Sequence, residues 1–95
     1  TGCLIGNLGQ ELSGQSDTFR DALNVVFQRW ERRFVTCLNH AQTDGTINTA
    51  IAPESLASFI LSGWEGAILR AKTLKSVAPM EHFEAILFEH VLVPR

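Results

Sequence analysis

Between Asp17 and Gln42 apolar residues return every three or four positions: Phe19, Leu23, Val26, Phe27, Trp30, Phe34, Cys37, Leu38 and Ala41. That spacing matches the period of an α-helix and not the two-residue period of a strand. It predicts one helix roughly 40 Å long at ~1.5 Å per residue. A rod of that length in a chain of 95 residues spans the whole domain, so the remaining elements must pack along it. Ser16 or Asp17 can cap its start, and Asp44-Gly45 supplies its stop.

Three further segments carry a helical pattern, and no stretch alternates long enough to make a strand. From Gly2 to Ser13, Leu4, Ile5, Leu8 and Leu12 form a stripe, while Gly2, Gly6, Gly9 and Ser13 make a smooth seam on another side. A helix from Pro53 to about Ser76 starts on a proline suited to the first turn. It sets Leu56, Ile60, Gly63, Ala67 and Leu74 on one face and Ala57, Leu61, Trp64 and Ile68 on the adjoining one. The last helix, from near Pro79 to Leu92, has Met80, Phe83, Leu87 and Val91 on one side, widened by Ile86 and Phe88. The expected fold is all-α, an antiparallel bundle of about four helices. So few helices cannot cover both wide apolar faces of the Pro53–Ser76 segment, so a second copy or further helices must meet them.

The stretch Ser62-Gly-Trp-Glu-Gly-Ala-Ile-Leu-Arg-Ala71 places two glycines inside that helix. Each costs about 1 kcal/mol relative to alanine. Their presence implies that some group approaches the helix closely.

Mixed charges with a net of −2 and 45% apolar residues describe a soluble globular domain and exclude a disordered chain. Apolar runs such as Ala85 to Phe88 are far shorter than the ~18 residues that cross a bilayer, and no signal-peptide pattern opens the chain. A cytoplasmic location is the expectation, with no membrane partner. The basic cluster Arg29 to Arg33 is broken by Trp30 and Glu31 and leaves no nucleic-acid footprint. The closing Leu-Val-Pro-Arg matches the thrombin recognition sequence of expression tags, which makes Val93 to Arg95 either a tag remnant or a chance match and sets the domain at 1–92.

Catalytic signatures are missing. No serine sits in a strand-turn-helix elbow and no glycine-rich loop follows a strand, so the chain reads as non-enzymatic. Cys37 and His40, at i and i+3, could give two metal ligands, but only Cys3, His82 and His90 remain to complete a site and no motif places them nearby. Cys3 and Cys37 have apolar neighbours and read as reduced thiols that behave as small hydrophobes, without a cation to activate them. No metal and no cofactor is expected. Phe27, Trp30, Phe34 and Trp64, with Asn7 as a polar group beside Leu4 and Leu8, can line a small-molecule cavity or simply fill the core.

Gly2-Cys-Leu-Ile-Gly-Asn-Leu8, Gly63-Trp-Glu-Gly-Ala-Ile-Leu-Arg-Ala-Lys72 and the helix start Pro79-Met-Glu-His-Phe83, in that order, resemble the C-terminal half of a TetR/AcrR-type transcriptional regulator. The resemblance runs to about Leu92. It implies a repressor whose helix-turn-helix binds an operator while a helical C-terminal domain binds a small effector and dimerises. No helix-turn-helix is found in this chain, so DNA would be a partner only through a domain outside it, and helices that wall the effector cavity would be missing too.

The resemblance further implies that the last two long helices meet their copies in a four-helix interface. Ser62, Gly66, Leu69, Thr73, Phe83, Ile86 and Leu87 are the candidates for that interface, with Gly66, beside Ser62 and Thr73, as the point of close approach. Cys3, Leu4, Asn7, Phe27, Trp30, Phe34 and Trp64 are the candidates for the effector site. The alternative is a structural helical dimerisation module that binds no ligand.

Overall fold

The computed structural model describes residues 17–95. The Gly2–Ser13 segment, and with it Cys3, Leu4 and Asn7, lies outside the described residues. Helix α1 runs Asp17–Thr43, α2 runs Pro53–Leu74 and α3 runs Ala78–Ile86, followed by a π-helical turn over Leu87–Val91. No strand occurs among the described residues, so the all-α expectation holds. Helix α1 matches the periodic segment to within a residue at its end.

Helix α2 lies between the other two, packed on α1 along one side and on α3 along the other. The α1–α2 pair is antiparallel. Val35, Leu38 and Ala41, near the end of α1, meet Leu56, Ala57 and Ile60 at the start of α2, and Ile47 from the intervening loop completes this cluster. Ala57 is fully buried and Leu56 is 3% exposed. The packing explains a departure from the apolar period: Cys37 points away from α2 and is an exposed free thiol, whereas its neighbour Leu38 carries the contact. Ile47 escapes a reading by periodicity because a lone apolar residue in a polar loop has no period to betray it.

The loop from Asp44 to Ala52 is held by its own side chains. Gly45 takes φ +82°, a left-handed conformation suited to glycine. Asp44 Oδ1 accepts hydrogen bonds from the Thr46 N–H and hydroxyl. Those two bonds, the hydroxyl's first, hold the Asp44 carboxyl below its ordinary pKa. Gln42 Nε2 donates to the Ile51 carbonyl at 2.8 Å. Asn48 then clamps the far end of the chain: its side-chain amide donates to the Val91 and Val93 carbonyls at 3.2 and 2.8 Å, and its backbone N–H donates to Val93 at 2.7 Å.

Helix α2 ends at Leu74, two residues short of the Ser76 expectation, because Lys75 adopts the left-handed conformation with φ 53°. The Ser76 N–H donates to the Ala71 carbonyl and closes the last turn. Leu74, expected on the apolar face, is 58% exposed at this turn. The last helix also differs from the single span expected to Leu92. After Ile86 the Leu92 N–H reaches back five residues to the Leu87 carbonyl at 2.7 Å. One extra residue in that turn rotates the chain beyond it by about 100° relative to an α-helix. Leu87 therefore stays against α2, while Val91 and Leu92 swing onto the core of Leu38, Ile47, Leu56 and Ala57.

The principal extents are 45 × 30 × 14 Å, so the molecule is less than half as thick as it is wide. A slab this thin has two broad faces and little interior. One face carries a groove, and Leu69 and Leu74 of α2 and Ile86 of α3 are exposed outside its lining.

Candidate functional site: an aromatic groove across three helices

The groove has a volume of about 410 Å³, within the range of roughly 300–1,000 Å³ of small-molecule sites. Helix α2 forms its floor with Ile60, Leu61 and Trp64; α1 supplies Trp30 and Phe34, one turn apart; α3 and the π-turn supply Phe83, Leu87 and Phe88. The antiparallel run of α1 against α2 brings Trp30 beside Trp64, as the pairing of Leu38 with Leu56 at the other end requires. Five of these side chains are aromatic. Glu65 and Glu84 are the charged residues that line it.

The rings brace one another. Phe83 lies between Phe59 and Trp64, with centroids 6.3 and 6.2 Å away. Phe27 meets Trp30 edge to face at 5.9 Å and 86°, a favoured aromatic geometry. Phe27 thus supports a groove residue from behind and does not itself line the groove. Trp30 and Phe34 remain 40% and 39% exposed, so the groove is open along its α1 side. A site of this make-up can hold an apolar or aromatic molecule by burial and ring contact.

Of the expected effector residues, the structure brings Trp30, Phe34 and Trp64 together and sets Phe27 behind them. The expected interface residues divide into two groups. Ser62, Gly66, Leu69 and Thr73 share a strip of α2, with Leu69 exposed, and Ile86 of α3 is 59% exposed. Leu87 is buried inside the chain and Phe83 is packed on α2, and both line the groove. The two glycines also part company. A Cβ built on Gly63 would fall 2.8 Å from Phe83 Cζ and nearer still to Cε1, so this glycine admits the ring. At Gly66 nothing among the described residues comes within 4 Å of a built Cβ, so they do not make the expected close approach at that position.

Reading by helix face finds the α1 and α2 aromatics. It misses Glu84 and the role of Phe83, Leu87 and Phe88, because convergence of α1 and α3 across α2 is a tertiary property with no local spacing. Among the described residues no three metal-ligating side chains gather, and no helix is long and apolar enough to cross a membrane.

A family model described as the tetracyclin repressor-like C-terminal domain matches residues 1–87. The chain belongs to that family. Its relatives include the HTH-type transcriptional repressor DhaR of Mycobacterium sp. (strain GP1), 41% identical over 91 residues, which are 96% of this chain and 46% of DhaR. The transcriptional regulator AcuR of Cereibacter sphaeroides is 42% identical over 89 residues, or 94% of this chain and 41% of AcuR. The crystal structure of a regulatory protein TetR from Rhodobacter sphaeroides superposes with a TM-score of 0.83 at 42% identity, covering 94% of this chain and 47% of that one. This TetR-family chain therefore spans less than half the length of the relatives it matches. They are transcriptional regulators and not enzymes.

Proposed function

We propose that this chain is the effector-sensing and dimerisation domain of a TetR-type transcriptional repressor, and that residues 1–92 form that domain. A largely apolar small molecule occupies the groove over Trp64, between Trp30 and Phe34 on one side and Phe83 on the other. The observation that carries this reading is a 410 Å³ groove lined almost wholly by apolar and aromatic side chains on one face of a family member. Cys3, Leu4 and Asn7 would add to its wall from the preceding segment. A second copy meets the strip of Ser62, Gly66, Leu69 and Thr73 together with Ile86, and the open space at Gly66 admits the partner helix. Operator DNA is bound by a helix-turn-helix outside this chain, and the sensing takes place in the cytoplasm.

Trp30→Ala tests the reading. The side chain is two-fifths exposed and sits on the groove wall, so its loss removes ligand contact at little cost to the fold. With an effector found by screening apolar compounds, calorimetry should show affinity falling at least tenfold, about 1.4 kcal/mol, while sedimentation shows the dimer unchanged. Unaltered affinity would return the aromatic cluster to a packing role.

A further inference from the structure

We infer that Gly63 sets the depth of the groove and thereby the size of effector it accepts, an inference that rests on the ligand-site reading above. Three observations converge on this residue. The Phe83 ring occupies the place of the missing side chain, with Cζ and Cδ1 at 2.8 and 3.1 Å from a built Cβ and Cε1 closer. The same ring lines the groove. Its neighbours Phe59 and Trp64, at 6.3 and 6.2 Å, flank it, so a ring pushed off α2 has little freedom to slip sideways along the helix.

Contacts below 3.0 Å between carbons are repulsive, and aromatic rings do not compress. A methyl group at position 63 therefore lifts Phe83 away from α2, and the ring moves into the space a ligand would use. Gly66, one turn later, has nothing among the described residues within 4 Å and exerts no such control on them. The glycine that breaks helix propensity at position 63 thus has a role on the groove side of α2: it lets an aromatic wall lie flush with the helix backbone. Large apolar effectors need that depth, and small ones do not.

The test uses two neutral probes of different size, N-phenyl-1-naphthylamine and benzyl alcohol, titrated by calorimetry into the full chain and its variants Gly63→Ala, Phe83→Leu and the double variant. Gly63→Ala should weaken the larger probe at least tenfold and the smaller less than threefold. Phe83→Leu in the Gly63→Ala background should bring the larger probe back to within about threefold of wild type, because the shorter side chain clears the new methyl. Parallel losses for both probes, or no recovery in the double variant, would overturn the role of Gly63 while leaving the ligand site intact. If wild type binds neither probe saturably, the ligand-site reading falls and this inference with it. Should Gly63→Ala lose helicity, Phe83→Leu alone decides: it must tighten the larger probe relative to the smaller, and an unchanged ratio contradicts the inference.

Discussion

Leu56→Ala should be the most damaging single truncation among the described residues, lowering stability by about 3 kcal/mol and Tm by on the order of 15 °C for a domain this small. Leu56 is 3% exposed and touches the fully buried Ala57. Around them gather Leu38 of α1, Ile47 of the loop and, through the π-turn, Val91 and Leu92. Truncation opens a cavity where four parts of the chain meet, and the Asn48 clamp on Val91 and Val93 holds the last of them in place. Leu74→Ala is the matched control, since that side chain lies outside the packing, and it should change stability by no more than about 0.5 kcal/mol. Denaturant unfolding at one fixed protein concentration checks both, because dissociation of the proposed dimer would make the midpoint concentration-dependent. Equal losses for the two variants would contradict this account of the core.

Leu69→Glu should weaken the dimer at least a hundredfold while leaving helicity and effector binding near wild type. Symmetry doubles the insult: each substitution brings two carboxylates into one interface, and burying an unpaired charge costs several kcal/mol. Because Leu69 is exposed in the isolated chain, the fold itself has no reason to suffer. Gly66→Arg should act the same way by filling the space left for the partner helix. Sedimentation over a range of concentrations reads the effect, and a dimer dissociation constant unchanged in both variants would move the interface elsewhere. Paired with Trp30→Ala, this result separates sensing from dimerisation, since each variant should weaken what the other leaves near wild type.

The reach of the sequence differs from helix to helix. The long α1 is legible as a helix, because a 3.6-residue period kept from Phe19 to Ala41 admits no strand, although it does not foretell that Cys37 faces outward. The start of α2 is legible from Pro53, and its glycines signal a close approach that Gly63 makes within the chain. The partner at Gly63 is not legible, since Phe83 lies 20 positions further on and no local rule joins them. The π-turn is hidden for a different reason: Leu87 to Val91 fits a helical period well enough, and the contacts that accompany the wider turn, Val91 and Leu92 on the Leu56 core and Asn48 on Val91, are tertiary. Among the site residues, Trp30, Phe34 and Trp64 follow from helix faces. Resemblance implies Phe83 and Leu87 for the interface, and among the described residues both line the groove, a position no local spacing gives.

Chance placement of the two tryptophans offers a direct test of the central claim. The chain contains two, Trp30 and Trp64, and both line the groove, so intrinsic emission reports on the groove and little else. Titration with a screened apolar effector should produce a saturable change in tryptophan emission whose midpoint equals the dissociation constant from calorimetry, and Trp30→Phe and Trp64→Phe should each retain part of the signal. An effector that calorimetry shows to bind at one site, yet leaves the emission of both tryptophans unchanged, would place sensing outside the groove.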